Sequence, residues 1–226
     1  MSPTPTPRTA LVAGATGLVG REIVARLCAD PVVAAVHTLS RRAPLDAHAK
    51  LRPLVVDFAA LPALPAVDEV YLGLGTTIKL AGSQAAFRAV DFDANLAVAQ
   101  AALAAGARRM GLVSALGADA QSSVFYSRVK GELEDALAAL PLAALVIARP
   151  SMLRGDRAAL GQPVRPGEVW GDKLDTLLRP LIPRRWRAIA AADVAAALVQ
   201  AVPQARGRQV LTSAAMQGAA QRGALA

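Results

Sequence analysis

The sequence has very few of the residues that build disulfides, metal sites and stacking surfaces for nucleic acids. Its 226 residues include one cysteine and two histidines, and only 4% of them are aromatic. Cys28 has no partner for an internal disulfide, and with His37 and His48 it forms no metal-ligand cluster. We therefore expect no metal site. The lack of a histidine after Ser114 also argues against a Ser-His-Asp hydrolase.

Long apolar runs and a secretion signal are also missing. Hydrophobic residues make up 54% of the chain, but alanine dominates them and no stretch reaches the length that spans a bilayer. Residues 1–7 are rich in proline and lack the basic and apolar regions of a secretion signal, which predicts a flexible extension. Together these features predict a cytoplasmic protein without a membrane partner.

The net charge of +8 raises the question of nucleic acid, and the densest basic stretch runs from Arg179 to Arg187. The chain has no interleaved aromatic platform on which bases stack, and no known nucleic-acid motif. Positive charge also suits anionic cofactors and substrates. We therefore predict a small-molecule substrate and no nucleic-acid partner, with nucleic acid as the minor alternative.

Along the chain, short apolar runs alternate with segments that have the periodicity of a helix. This alternation predicts an α/β protein with a Rossmann-type doubly wound parallel sheet of six to seven strands and a small C-terminal substrate region. The predicted strands are Arg8–Ala13, Val36–Ser40, Leu54–Phe58, Val67–Leu74, Met110–Ser114, Ala144–Ala148 and Gln209–Thr212. The predicted helices are Leu18–Leu27, Gln84–Ala105, Val124–Leu140 and Asp193–Gln200. We expect a single domain over 1–226, with a substrate-side segment at 153–190 and a frayed tail at 214–226.

Gly14, Gly17 and Gly20 lie between the first predicted strand and the first predicted helix. In this spacing the first glycine allows a tight turn, the second lets the backbone approach a pyrophosphate, and the third lets the helix pack close to the strand. The free N–H groups and positive dipole end of the helix then face the anion. The pattern predicts a dinucleotide site, with a plain strand–turn–helix corner as the alternative. A Walker-type loop is excluded because no Gly-Lys-Ser/Thr follows.

Ser40, Arg41 and Arg42 end and follow the second predicted strand. An acidic residue here binds the adenosine ribose of NAD, whereas a basic residue accommodates the additional phosphate of NADP. Guanidinium groups bind phosphate through two parallel hydrogen bonds. The sequence therefore predicts NADP(H), with a solvated basic loop as the alternative.

Ser114, Tyr126 and Lys130 form a candidate set for carbonyl reduction. Ser114 ends a predicted strand, and Tyr126 and Lys130 are four residues apart on the next helix, so they share one helix face. A free tyrosine, with a pKa of about 10, is a poor acid near neutrality unless its anion is stabilised, which a neighbouring ammonium does. A serine hydroxyl can orient the carbonyl oxygen. The alternative is a surface Tyr/Lys pair without a role.

Asp91, Asp93 and Asn95 lie on the predicted helix Gln84–Ala105. We interpret the two aspartates as a solvated helix start, where negative charge is favourable. A functional role for these three residues is the alternative.

Several motifs occur in a fixed order along the chain. They are Gly14-Ala-Thr-Gly17-Leu-Val-Gly20, Ser40-Arg41-Arg42, Asp57-Phe58, Leu72-Gly-Leu-Gly-Thr-Thr77, Val113-Ser-Ala-Leu-Gly117, Tyr126-Ser-Arg-Val-Lys130 and Arg149-Pro-Ser-Met152. From about Thr9 to Arg157 the chain thereby resembles the short-chain dehydrogenase/reductase superfamily, and within it the atypical NAD(P)H-binding group similar to the Tat-interacting-protein oxidoreductases.

The resemblance implies that Asp57 and Phe58 flank the adenine, that Gly73 to Thr77 line the cofactor, and that Pro150 to Met152 lie near the nicotinamide. The predicted cofactor-binding residues are Gly14, Thr16, Gly17, Leu18, Val19, Ser40, Arg41, Arg42, Asp57, Phe58, Gly73, Leu74, Gly75, Thr76, Thr77, Tyr126, Lys130, Pro150, Ser151 and Met152. The resemblance also implies Ser114, Tyr126 and Lys130 as the catalytic set. The short C-terminal part departs from larger relatives, so the resemblance does not identify the substrate.

We expect an NADP(H)-dependent oxidoreductase that transfers hydride to or from a small carbonyl or alcohol, as a monomer or homodimer. The alternative is a non-catalytic NADP(H)-binding regulator or scaffold, because the same fold serves both.

Overall fold

The computed structural model describes residues 6–42, 48–154, 183 and 185–222. Its strands are β1 Arg8–Ala13, β2 Val33–Ser40, β3 Leu51–Val55, β4 Glu69–Leu72, β5 Arg109–Val113, β6 Ala144–Arg149, β7 Leu153–Arg154, β8 Ile189–Ala190 and β9 Gly207–Thr212. Its helices are α1 Leu18–Ala29, α2 Ile78–Ala81, α3 Gln84–Arg88, α4 Asn95–Ala104, α5 Phe125–Ala138, α6 Ala191–Ala201, α7 Ser213–Met216 and α8 Ala219–Arg222, with a π-helical segment at Ala89–Ala94 between α3 and α4.

Seven strands form one parallel sheet in the order β3-β2-β1-β4-β5-β6-β9, and β7 pairs with β8 separately. This arrangement confirms the predicted Rossmann-type α/β fold. Because β2 and β4 flank β1 on opposite sides, the strand order reverses at β1. In such sheets ligands bind in the crevice at the carboxyl ends of the strands at this reversal. The crevice here opens where β1 and β4 end.

The hydrophobic core is divided between the two faces of the sheet. One layer packs β-strand residues such as Val12 and Val146 against α1 and α6. The other packs residues such as Leu11 and Leu112 against α4 and α5. Adjacent residues such as Leu11 and Val12 belong to opposite layers because successive side chains of a strand alternate between faces. No helix in the described part of the chain is long and apolar enough to cross a membrane.

The third strand starts and ends three residues earlier than predicted. The sequence predicts Leu54–Phe58, whereas β3 spans Leu51–Val55 and pairs with β2 from Val36 to Ser40. Pro53 argues against a strand at this place because it cannot donate a ladder hydrogen bond, but β3 is the edge strand, where proline is tolerated.

The predicted helix Gln84–Ala105 contains an interruption that periodicity does not reveal. Residues 89–94 widen into a π-helical segment, which puts Asp91 and Asn95 inside the protein at 1% and 0% exposure. Asp93 is exposed. The interpretation of both aspartates as a solvated helix start is therefore wrong for Asp91.

The tail predicted to be frayed from residue 214 is instead helical as far as Arg222. Thr212 caps α7 by accepting a hydrogen bond from the backbone N–H of Ala215, and Met216 is buried in the core. The carboxylate of Asp193 accepts the N–H of Ala220, which joins α8 to α6. Residues 1–5, most of the predicted substrate-side segment (155–182 and 184) and residues 223–226 lie outside the described residues.

Buried charges at the amino ends of β1 and β4 belong to the scaffold rather than to the crevice. The guanidinium of Arg8 donates to Glu69 at 3.1 Å and to Asp30 at 2.5 Å, and the Tyr71 hydroxyl donates to Glu69 at 3.1 Å. Burial, followed by the Glu69 carboxylate, raises the pKa of Tyr71 well above its usual value. Tyr71 therefore stays protonated. Through Glu69 and Arg8, its hydroxyl connects the starts of β4 and β1, at the edge of the sheet opposite the candidate site.

Candidate active site

The turn after β1 lies directly against the end of β4. Gly14 has a φ of +86°, and a methyl group built on it would lie 2.5 Å from the carbonyl oxygen of Gly73. A methyl group built on Gly20 would lie 2.0 Å from the carbonyl oxygen of Gly14. Neither position can carry a side chain in this backbone. The turn, the start of α1 and the end of β4 are therefore packed backbone on backbone.

The first N–H groups of α1 face this turn without a side-chain cap. Gly17 is the N-cap residue and offers no side chain, and the first turn of the helix has no acidic residue. Leu18 and Val19 are 7% and 5% exposed because their side chains pack in the core, so they can offer a ligand only their backbone. Thr16 is exposed at the turn. This helix end has the free donors and the positive dipole end that an anion requires.

The segment Gly73–Thr77 follows β4 and is anchored from the π-helical segment. The Asp91 carboxylate accepts the backbone N–H of Thr76 at 2.8 Å. The Asn95 side-chain amide donates to the carbonyl of Leu74 at 3.0 Å. Thr77 caps α2 by accepting the backbone N–H of Leu80. The Gly73–Thr77 backbone, which the resemblance predicts to line the cofactor, is therefore fixed by the buried side chains of Asp91 and Asn95.

Lys130 and Tyr126 share one face of α5, but their surroundings differ. The Lys130 side chain is buried, and its Nζ lies 2.6 Å from the Asp91 carboxylate. A methyl group built on Gly75 would lie 4.0 Å from this Nζ, so the ammonium borders the Gly73–Thr77 segment. Tyr126 is 38% exposed, and its ring contacts the buried ring of Phe87 with centroids 5.7 Å apart. The ring is thus held by packing, while part of the residue is open to solvent.

Ser114 directly follows β5, at the same edge of the sheet, but its hydroxyl has a partner that sequence reasoning did not foresee. It donates to the carboxylate of Glu134 at 2.6 Å. Glu134 is 1% exposed and accepts two hydrogen bonds from Arg149 at 3.0 and 2.5 Å, and Arg208 approaches it at 3.4 Å. The bond to Glu134 raises the pKa of Arg149 above its ordinary value. Ser114 thereby joins an ionic cluster around the buried Glu134 carboxylate, which links α5 to the ends of β5 and β6.

The residues predicted to select NADP(H) lie at the carboxyl end of β2. The Ser40 hydroxyl donates to the carbonyl of Arg42 at 2.5 Å, which curves the chain just after the strand. Arg41 and Arg42 are exposed, and among the described residues 40–42 at this strand end none is acidic. Their guanidinium groups are therefore accessible to an anion beside the glycine turn.

The predicted adenine-flanking pair lies next to this strand end. The backbone N–H of Val56 donates to the carbonyl of Ser40 at 2.9 Å, so the residues that follow β3 run beside Ser40. Asp57 is exposed and its carboxylate accepts the N–H of Ala59 at 2.9 Å. Phe58 packs partly against the core.

The segment predicted to approach the nicotinamide is tied to both neighbouring strand ends. The carbonyl of Pro150 accepts the N–H of Leu116 at 2.8 Å, close after Ser114. The Ser151 hydroxyl donates to the carbonyl of Arg187 and lies 2.9 Å from the hydroxyl oxygen of Ser213. Met152 is 63% exposed.

The contacts of two residues at the site were not predicted from the sequence. The sequence favours a solvated helix surface for Asp91, with a functional role as the alternative, and its contact with Lys130 depends on the π-helical segment. Glu134 carries a weak sequence signal, since it is four residues after Lys130 and therefore continues the face of α5 that includes Tyr126.

These residues fit a dinucleotide. The N-terminus of α1 is uncapped beside the closely packed glycine turn, and two exposed arginines follow the neighbouring strand. Each of these features suits phosphate groups.

Comparisons with known proteins agree with this geometry. A family model described as NAD(P)H-binding matches residues 14–205. The chain belongs to this NAD(P)H-binding family, which confirms the resemblance to the atypical short-chain dehydrogenase/reductases. The protein named fmp52, mitochondrial, from Emericella nidulans is 37% identical over 166 residues, which are 69% of this chain and 70% of that protein. Its namesake from Candida albicans is 36% identical over 154 residues, 65% of this chain and 67% of that protein.

Solved structures share the fold at low identity. An oxidoreductase of the short chain dehydrogenase/reductase family from Burkholderia thailandensis has a TM-score of 0.65 at 20% identity and covers 98% of both chains. The Bordetella bronchiseptica enzyme WbmG in complex with NAD has a TM-score of 0.67 at 15% identity, over 94% of this chain and 74% of that chain. The chain thus has an NAD(P)H-binding, oxidoreductase-like fold.

The predicted cytoplasmic location is contradicted by the curated relatives. Those from Emericella nidulans, Scheffersomyces stipitis, Candida albicans and Chaetomium globosum are all named mitochondrial. The lack of a secretion signal does not distinguish cytoplasm from an organelle. The names of these relatives assign those proteins to mitochondria rather than to the cytoplasm.

Proposed function

We propose that the chain is an NADP(H)-dependent oxidoreductase that reduces a small carbonyl compound or oxidises the corresponding alcohol. The observation that carries the proposal is the position of the Lys130 ammonium, which borders Gly75 beside the glycine turn and lies one helical turn from the partly exposed Tyr126. The proposed cofactor-binding backbone and the proposed proton donor lie at the same edge of the sheet.

The bound cofactor would supply or accept the hydride. The chain's own residues would manage the proton and the orientation. Tyr126 would donate its hydroxyl proton to the carbonyl oxygen as negative charge develops there, and the Lys130 ammonium would stabilise the tyrosinate that remains. In the oxidation direction Tyr126 would take up the alcohol proton. A screen of small aldehydes and ketones for NADPH oxidation tests the proposal, and a silent screen despite tight NADPH binding would contradict it.

Arg41 and Arg42 predict a preference for NADPH over NADH. A guanidinium bonded to the 2′-phosphate contributes about 1.5–3 kcal/mol, the usual scale of a charge-assisted hydrogen bond, or roughly 10- to 150-fold in affinity. We expect this preference in calorimetric titrations of the unmodified chain and its loss in the Arg41→Ala/Arg42→Ala variant. The matched control is Arg108→Ala/Arg206→Ala, which removes the same charge from exposed positions before β5 and β9, at the opposite edge. Equal affinities for both cofactors would refute the assignment.

A second function, that of a cofactor-binding regulator without turnover, is favoured by the contact of Ser114. A hydroxyl has one proton to donate. The Ser114 proton is directed to Glu134, so orienting a substrate carbonyl would require breaking a buried charge-assisted bond.

The Ser114→Ala variant shows which role this serine has. We expect the free energy of unfolding to fall by about 1–3 kcal/mol, because the buried Glu134 loses a hydrogen bond. We also expect unchanged NADPH affinity and less than a tenfold loss of turnover. Denaturant unfolding, calorimetry and steady-state rates measure these three effects. A loss of turnover of roughly 100-fold or more with unchanged stability would instead support the carbonyl-orienting role predicted from the sequence.

A further inference from the structure

Lys130 has a buried partner that the proposed function does not use. The Lys130 and Asp91 side chains are 6% and 1% exposed, and Nζ lies 2.6 Å from a carboxylate oxygen. The other carboxylate oxygen of Asp91 accepts the N–H of Thr76 at 2.8 Å. The Asp91 carboxylate thus joins the Lys130 ammonium to the Gly73–Thr77 segment.

We propose that Asp91 is a positioning residue that holds the Lys130 ammonium against the Gly73–Thr77 segment. This inference rests on the proposed function, because Lys130 matters there only as a charged group beside the cofactor and Tyr126.

Burial explains why a carboxylate is needed. An ammonium taken out of water loses its hydration, and an opposite charge in contact with it compensates for this loss. Among the described residues, the ion pairs that α5 forms with the helical segments before α4 are Asp91–Lys130 and Arg88–Glu132. Arg88 uses its guanidinium on Glu132, so Asp91 is the carboxylate in contact with the ammonium. Without this contact, the Lys130 side chain would turn away from the Gly73–Thr77 segment toward water.

The π-helical segment determines which aspartate has this role. Asp91 faces α5 from inside the protein, whereas Asp93 on the same segment is exposed. A change from Asp to Asn at either position removes the same charge and leaves nearly the same shape. Asp93→Asn is therefore a matched control for Asp91→Asn.

Calorimetric titration with NADPH tests the inference in the unmodified chain, in the Asp91→Asn, Asp93→Asn, Asp91→Glu and Lys130→Met variants, and in the Asp91→Asn/Lys130→Met double variant. We expect Asp91→Asn to bind NADPH roughly 10- to 100-fold more weakly, the scale of one charge-assisted hydrogen bond, and to cause no further loss when Lys130 is already replaced. Asp93→Asn should match the unmodified chain. Asp91→Glu retains the charge and should restore most of the affinity. It also keeps the test usable if Asp91→Asn does not fold.

The outcomes separate this inference from the proposed function. Unchanged binding in Asp91→Asn overturns the inference, and so does a loss of the same size with lysine or methionine at position 130, because Asp91 would then act only on the loop backbone through Thr76. If Lys130→Met binds NADPH as tightly as the unmodified chain, the place of Lys130 in the proposed function fails instead. Weak binding by Lys130→Met with normal binding by Asp91→Asn leaves the proposed function intact and removes only Asp91.

Discussion

Replacing Tyr126 by phenylalanine is expected to lower turnover by about 100- to 10,000-fold, the range typical of a lost general acid. The change removes only the hydroxyl. The ring keeps its contact with Phe87, whose centroid is 5.7 Å away, so fold and NADPH affinity should be preserved. The measurement is the rate of NADPH oxidation with any carbonyl compound found in the screen, together with an NADPH titration of the variant.

The other tyrosine of the chain, Tyr71, supplies a matched control. Its hydroxyl donates to Glu69 at the opposite edge of the sheet and is fully buried. Tyr71→Phe should therefore reduce stability, because Glu69 loses a hydrogen bond, and leave turnover unchanged. Unchanged turnover in Tyr126→Phe would remove Tyr126 from the mechanism. A similar loss in both variants would show that the effect comes from destabilisation.

The sequence predicts the framework of this protein well because its strands and first helix carry strong local signals. β1 is bounded correctly at Arg8–Ala13, since a short apolar run precedes the glycine turn and the helical period follows it. β3 is displaced because Pro53 argues locally against a strand, and the edge position that permits it is a property of the whole sheet. The helical end after Thr212 depends on burial of Met216, which composition alone does not reveal.

The candidate site was predictable only where spacing determines geometry. A separation of four residues on one helix puts Tyr126 and Lys130 on the same face, and the strand–turn–helix pattern puts the glycines at the turn. The partners of these groups were not predictable. Asp91 reaches Lys130 because a π-helical segment interrupts a helix whose sequence period is continuous, and Ser114 reaches Glu134 through packing between α5 and the sheet. Buried ionic contacts depend on tertiary structure and leave little trace in local sequence.

Gly14→Ala is expected to abolish NADPH binding and to destabilise the fold strongly. Two costs add at this position. An L-residue at a φ of +86° loses about 1–2 kcal/mol, and the new methyl group would lie 2.5 Å from the carbonyl oxygen of Gly73, which belongs to backbone and cannot rotate away. The turn or the end of β4 must then shift, which separates the N-terminus of α1 from the Gly73–Thr77 segment. NADPH titration and denaturant unfolding measure the two effects.

Gly82→Ala separates the strain from the collision. Gly82 has nearly the same φ, +83°, but a methyl group built there meets nothing within 4 Å. We expect this variant to lose about 1–2 kcal/mol of unfolding free energy and to retain NADPH affinity. The difference in unfolding free energy between Gly14→Ala and Gly82→Ala then measures the cost of the collision with the Gly73 backbone. The loss of NADPH binding in Gly14→Ala alone shows what this collision does to the cofactor site. If both variants lost the same stability and both bound NADPH, the contact between Gly14 and Gly73 would have no part in forming the cofactor site.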